Sequence, residues 1–368
     1  MGLDSGCYWT IDDTGFPKKG KQDNCQVAVS LSLASAQASI PIAYQLHLPK
    51  DWAADPVRRK AGGVPETQAF ATKPEIALAQ MRQAVAAGVP MGVVLADAVY
   101  GDETAFCGGI TELGMLYAVG IRPATTVWAP GTAPLPPKAW ADRGRRPTKL
   151  RREPGNAPAA VKALACGLPG QAWRTVTWRE GGNNELSGRF TALRVRPAHR
   201  DCLGTEMRAE EWLLIEGPDG EAGPAKYFLT TAPEDATLEQ MVFVTKMRWR
   251  TERDCHDLKQ EFGLGHYEGR GWRGFHHPAT LSIAAYGLLM TQRLKAGSDG
   301  GGKKTSRNAK CLMFPKIASL GEVQRAQRQV ADSITTLRLR LRLRLSVALA
   351  SALGHCPHCN RISSRLNL

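Results

Sequence analysis

Hydrophobic and polar positions alternate with period two near the start of the chain. Cys25, Val27, Val29, Leu31 and Leu33 occupy one parity, with Gln26, Ser30 and Ser32 on the other. Ile40, Ile42, Tyr44, Leu46 and Leu48 repeat the pattern after a break at Ala36–Ser39. Such alternation predicts two half-buried antiparallel strands joined by a turn. Cys7–Ile11 reads as a strand before them, ended by the turn chemistry of Thr14, Gly15, Phe16 and Pro17. The period then lengthens, and Ile76, Leu78, Ala79, Met81 and Ala84–Ala86 predict a helix over about 73–87. Val93–Ala96 is apolar on both parities, the pattern of a strand buried on both faces. A helix near 103–113 and a short buried strand at 116–121 follow. Three strands, then helix, strand, helix, strand make a mixed α/β layer.

The pattern breaks at Val127–Pro158, a loop rich in proline, glycine and arginine. Period two returns at Thr175–Trp178, Phe190–Val195, Trp212–Ile215 and Tyr227–Thr230, punctuated by turns such as Gly181-Gly182-Asn183-Asn184. This stretch is expected to be a separate all-β insertion. Thr237 with Gln240 has the form of an N-cap with a capping box, opening one helix to about Phe262. Ala279–Leu294 predicts another helix, and Gly297–Gly302 a linker. The expected divisions are 1–125, 126–233, 234–300 and 301–368. Leu337–Leu345 alternates Leu with Arg, which suits an arginine-faced strand and, with leucines four apart, equally a helix.

Charge sharpens these divisions. The 368 residues carry a formal net charge of +14, with 43% hydrophobic residues, normal for a chain with a core. Residues 131–163 hold 8 Lys/Arg against 2 Asp/Glu, and residues 301–368 hold 13 against 2, leaving −3 on the rest. A mildly acidic body with two basic appendages points to a polyanionic partner. The longest apolar run, Leu281–Met290, is about half what a bilayer crossing needs. Asp4 stands where a signal peptide would be basic, so a cytoplasmic protein is expected, one that meets no membrane. The nine scattered cysteines fit a reduced compartment. Cys356-Pro357-His358-Cys359 supplies two of the four ligands a structural zinc needs, so none is expected there.

Three acidic residues stand out by placement. Asp12 follows the first strand, with Asp13 beside it; Asp97 ends Val93–Ala96; Glu252 lies inside the predicted helix. Strand parity sets Asp12 with Tyr8 and Thr10, away from Trp9 and Ile11. Carboxyl ends of strands favour ligand sites in α/β folds, although turn or cap duty is the commoner use of a lone Asp there. On the helix, Arg248, Glu252 and Lys259 are spaced by four and seven residues, which sets them on one stripe. Cation, carboxylate and cation facing two strand-end carboxylates suit a divalent metal and a phosphate.

The run Ile11–Gly20, the tripeptide Leu95-Ala96-Asp97 and Arg248-x3-Glu252-x6-Lys259 together resemble the DDE transposases of bacterial insertion sequences. The likeness is to the IS701-like branch of the IS4-type group, whose helix carries Tyr-x2-Arg-x3-Glu-x6-Lys; Thr245 stands in the Tyr place. It extends through Trp52–Pro56 and Gly263–His276. The resemblance implies an RNase H-like (retroviral integrase-like) mixed sheet interrupted by a β insertion. It implies a catalytic triad of Asp12, Asp97 and Glu252 holding two Mg²⁺ ions, with Mn²⁺ as substitute. The reaction implied is in-line cleavage and strand transfer on double-stranded DNA, at insertion-sequence ends and target, by a homodimer on DNA in the bacterial cytoplasm and nucleoid. Asp12 is favoured over Asp13 by the Asp-x-Thr pattern and by parity, and Asp13 stays open.

Arg248, Lys259, Arg143, Arg145, Arg146, Arg151, Arg152, Arg338, Arg340 and Arg342 are the expected phosphate and DNA contacts. Trp173, Trp178 and Trp212 are candidates for stacking on an unpaired base, beside their commoner use in a core. Val99 departs from the Gly usual after Asp-Ala, and residues usual between Lys21 and Gln22 are missing. The family's upstream N-terminal region is expected to be truncated. A catalytically inert DNA-binding remnant, and an RNase H-fold nuclease outside transposition, are the alternatives.

Overall fold

The computed structural model describes residues 3, 6–18, 25–180, 185–199, 201, 204–217, 226–299 and 334–352. Its strands are β1 (Tyr8–Pro17), β2 (Cys25–Ala34), β3 (Ser39–Leu46), β4 (Val93–Ala96), β5 (Tyr117–Ile121), β6 (Thr126–Trp128), β7 (Ala159–Ala160), β8 (Arg174–Glu180), β9 (Glu185–Pro197), β10 (Glu211–Gly217) and β11 (Lys226–Thr230). Its helices are α1 (Lys50–Ala53), α2 (Pro56–Gly62), α3 (Lys73–Ala86), α4 (Ala98–Gly101), α5 (Thr104–Glu112), α6 (Val161–Cys166), α7 (Leu238–Lys246), α8 (Trp249–Glu261), α9 (Trp272–Asp299) and α10 (Ile334–Ala352). Among the described residues no helix is long and apolar enough to cross a membrane. The chain divides into two units, Met1–Cys255 with Glu268–His277, and His256–Tyr267 with Pro278–Leu368.

A mixed α/β layer builds the first unit. Its sheet runs β3-β2-β1-β4-β5-β11-β10-β9-β6-β7, with β8 on β9. β1, β4 and β5 are parallel, while β2 and β3 continue antiparallel on one side. On the other side β11 pairs antiparallel with β5, Tyr227 opposite Ile121. The β8–β11 strands therefore form no sheet of their own, against the expectation of a separate insertion. The edge of β5 offers unpaired N–H and C=O groups, and β11 satisfies them.

Strand alternation sends Trp9 and Ile11, both fully buried, to the face covered by α3 and α5. Tyr8, Val93, Leu95 and Leu214 go to the opposite face, where Leu238, Met241 and Val242 of α7 cover them. Trp9 Nε1 donates to the Pro90 carbonyl at 2.8 Å, so the indole is buried without an orphaned donor.

β1 outruns its predicted end. Thr14–Pro17 is strand, paired with Ala28–Cys25, and Asp12 lies inside the strand opposite Ser30 instead of at its tip. Packing overrides turn propensity here: Phe16 is buried, its ring 5.0 Å from that of Phe275. Pro17 takes the last ladder position, where a missing N–H is tolerated.

The single helix expected over 237–262 is two. Thr237 caps α7 with the predicted capping box, but Met247 and Arg248 interrupt the run. The bonds tighten to i→i−3 there, from Arg250 N to Met247 O and Thr251 N to Arg248 O, both 3.1 Å. Thr245 Oγ1 turns back onto the Met241 and Val242 carbonyls at 3.1 and 2.9 Å, a competition that bends helices.

In the second unit, the Leu–Arg alternation resolves as helix α10. Period two on a helix sets successive arginines about 200° apart, so they line two sides instead of one face. Arg338 pairs with Glu261 at 2.8 Å and Thr335 Oγ1 donates to Glu261 at 3.0 Å. Ser282 Oγ donates to the Phe262 carbonyl at 2.9 Å. α9 continues through Gly297–Asp299, where a linker was expected. Lys19, Gly20, the 181–184 turn and Cys356–Cys359 lie outside the described residues.

Candidate active site

Parallel pairing of β1 with β4 sets Thr10 opposite Leu95. Carried two residues further, that register brings Asp12 and Asp97 level at the carboxyl end of β4. Asp97 also does the commoner job of its residue type: its Oδ1 accepts from Val99 N–H at 2.9 Å and caps α4. The second oxygen faces the site. Gly101 permits this turn, because a Cβ there would lie 2.0 Å from the Gly120 carbonyl oxygen. Without side chains at these two glycines, α4 lies directly on β5 and fixes where Asp97 points.

Asp12, Asp13 and Asp97 each bring a carboxylate oxygen within 4.8 Å of the others. Two cations face them. Arg248 Nη2 is 3.0 Å from Asp12 Oδ1 and 3.9 Å from Asp97 Oδ2. Lys73 Nζ is 2.5 Å from Asp13 Oδ2. Burial pushes the Asp12 carboxyl above its ordinary value, against the lowering effect of Arg248. Three carboxylates sharing one small volume are hard oxygen donors, a set compatible with a divalent cation.

The start of α8 is lashed to the sheet by buried polar contacts. Thr251 Oγ1 donates to Thr10 Oγ1, and Ser39 Oγ donates to Asp254. Cys255 Sγ lies 3.3 Å from Thr14 Oγ1. Each such bond is worth about 1 kcal/mol net, and together they fix the rotation of the helix. Thr251 and Asp254 are buried, which leaves Arg248, Glu252 and Cys255 as the adjoining stripe. Arg248 reaches the aspartates. Glu252 is exposed and lies outside the carboxylate group that meets within 4.8 Å among the described residues.

The other expected contacts divide. Lys259 is half-buried in the second unit. Arg143, Arg145 and Arg146 are exposed. Arg151 is engaged by the Pro136 carbonyl and by Glu153 at 2.5 Å, and Arg152 by Asp201 and the Ala198 carbonyl. Arg338 is held by Glu261, whereas Arg340 and Arg342 are exposed. The tryptophans are packed: Trp178 edge-on to Phe190 at 5.6 Å, Trp212 under Arg194, Trp173 under Arg189. Lys73, Thr251 and Asp254 carried no local signal. Lys73 is sixty residues from Asp13, and only the approach of α3 to β1 joins them.

Residues 3–185 match the family described as DDE superfamily endonuclease. That span includes Asp12, Asp13 and Asp97 and ends before Arg248 and Glu252. A 128-residue stretch is 30% identical to the probable transposase for insertion sequence element IS701 of Microchaete diplosiphon. It covers 30% of this chain and 31% of that protein, so the likeness spans under a third of the relative. Through residues 3–185, then, the chain belongs to the DDE superfamily of endonucleases, on its IS701-like side.

Proposed function

We propose that this chain is a DDE transposase that cleaves DNA at insertion-sequence ends and joins it to a target. The observation that carries this is the meeting of Asp12 and Asp13, inside β1, with Asp97 at the carboxyl end of the parallel strand β4, and Arg248 brought to them from the turn just ahead of α8. The order β3-β2-β1-β4-β5, with β1, β4 and β5 parallel, supports an RNase H-like core extended by β8–β11. Asp12 and Asp97 would hold divalent ions, Mg²⁺ or Mn²⁺, with Glu252 as the third carboxylate one helical turn beyond Arg248. Two bound ions would activate a hydroxyl nucleophile and neutralise the leaving oxygen in phosphoryl transfer. Asp13, matched to Lys73, is the less available of the adjacent pair. Arg143, Arg145 and Arg146 with α10 supply attraction to the duplex, which a cluster of carboxylates repels.

The exposure of Glu252 favours a second reading, an inert DNA-binding remnant, because the third carboxylate stands outside the cluster. A nicking assay on duplex DNA taken from the flanks of its own gene separates the two. Asp97→Asn and Glu252→Gln should each lower Mn²⁺-dependent cleavage by ~10³-fold or more while leaving DNA binding unchanged. Cleavage at wild-type rate in either variant removes that residue from the triad. No cleavage by the wild type in any divalent metal supports the remnant.

A further inference from the structure

We propose that Arg248 is the resident counter-cation of the carboxylate cluster: it holds Asp12 and Asp97 in the metal-free chain and leaves them when a divalent ion is bound. The proposal rests on the metal-site reading above and adds to it an exchange between two cations at one pair of oxygens.

The geometry shows why the two cations cannot share the site. Arg248 Nη2 takes Asp12 Oδ1 at hydrogen-bond distance, and leans on Asp97 Oδ2 from 3.9 Å. These are among the oxygens a metal would need. The seat is also a loose one. An arginine placed for stability usually meets a carboxylate with two parallel N–H bonds. Here a single nitrogen carries both contacts, and Nε is buried with no hydrogen-bond partner. Leaving costs the guanidinium little in satisfied bonds. The residue lies in the two-residue interruption between α7 and α8, outside both helices.

Lys73 does not duplicate this role. It meets Asp13 at 2.5 Å, from α3, and touches neither Asp12 nor Asp97 at ion-pair distance. Removing Arg248 therefore leaves Asp12 and Asp97 without a cation. Once off the aspartates, the guanidinium is available to a DNA phosphate. Phosphate and metal should then each strengthen the binding of the other, because binding couplings are reciprocal.

Calorimetric titration of Mn²⁺ into the 368-residue chain without DNA tests this. Arg248→Gln should bind Mn²⁺ on the order of tenfold tighter than wild type, as expected when a competing charge is removed at this range. Arg248→Lys keeps a cation too short to reach both carboxylates, and should tighten binding by a smaller factor. If Arg248→Gln does not fold at the assay temperature, Arg248→Lys decides the matter. Equal or weaker Mn²⁺ binding in the folded variants overturns the proposal. Asp97→Asn separates this from failure of the metal-site reading: if it binds Mn²⁺ as tightly as wild type, the ion is elsewhere and the underlying reading falls.

Discussion

Two clusters of partly buried charge sit on the same sheet and are built on different terms. On β10 and α7, Lys246 meets Glu216 at 2.5 Å, one cation to one carboxylate, with side chains 17% and 14% exposed. Trp178 and Phe190 wrap the ammonium at 4.4 and 5.4 Å from their ring centroids. Burial lowers the Lys246 pKa, against the raising effect of Glu216. Inside β1 and at the end of β4, three carboxylates share Arg248 and Lys73, and one contact stretches to 3.9 Å. The first cluster is balanced and closed. The second is short of positive charge and open, which is what a site awaiting a cation requires. A buried pair lacking one partner is costly, so its charges match; the cluster proposed to hold metal is left unmatched.

The largest effect that sharpens this contrast is the ~10³-fold loss of cleavage expected for Asp97→Asn. Removing that charge relieves repulsion, so its melting temperature should stay at or above that of wild type. Glu216→Gln should do the reverse. It strands Lys246 in its aromatic pocket and should cost about 3 kcal/mol of stability, read by chemical denaturation, with cleavage intact in the folded fraction. Loss of cleavage with no loss of stability in Glu216→Gln would break the division.

A third carboxylate, Glu211 at the start of β10, tests the same idea by pH. It is 9% exposed, and burial pushes its carboxyl up to about 7, against lowering by the Tyr117 hydroxyl, Arg208 and Arg194. A carboxyl raised above its unfolded value binds more protons in the folded state. Its stabilising contribution is therefore full below about 4.5 and lost as pH rises through about 7. Between those limits the difference in unfolding free energy between wild type and Glu211→Gln should move by about 3 kcal/mol. Parallel stability curves for the two proteins would place Glu211 in an ordinary environment.

Much of this is legible in the amino-acid sequence alone. Period-two alternation marked β2 and β3, and the doubly apolar run Val93–Ala96 marked β4 with Asp97 at its end. The Arg248–Glu252 stripe followed from spacing alone. What could not be read is long-range or rotational. The bond from Arg248 to Asp12 joins residues 236 apart. The break at Met247 contains neither glycine nor proline, and the folding of Thr245 onto its own helix just before it is a hydrogen-bond choice that spacing does not reveal. The exposure of Glu252 depends on which face Thr251 and Asp254 bury, and their partners are Thr10 on β1 and Ser39, the first residue of β3. β1 runs longer than its sequence suggests because Gly15 and Pro17 carry turn propensity, while Phe16 between them is claimed by the core.

The smallest expected effect concerns the basic loop, where the same distinction between matched and unmatched charge recurs. Arg151 and Arg152 are spent on the scaffold: Arg152 joins Trp128 Nε1, 2.6 Å from Asp201, in satisfying that buried carboxylate. Arg143, Arg145 and Arg146 are exposed. Each phosphate neutralised adds about 0.9 to the slope of log affinity against log salt. Replacing the three exposed arginines with glutamine should therefore lower the slope by up to about 3, measured by fluorescence anisotropy of a labelled duplex from 50 to 200 mM salt. Arg152→Gln should instead lower the melting temperature, with a slope within about one unit of wild type. An unchanged slope in the triple variant would shift the attraction to α10, where Arg340, Arg342 and Arg344 are exposed.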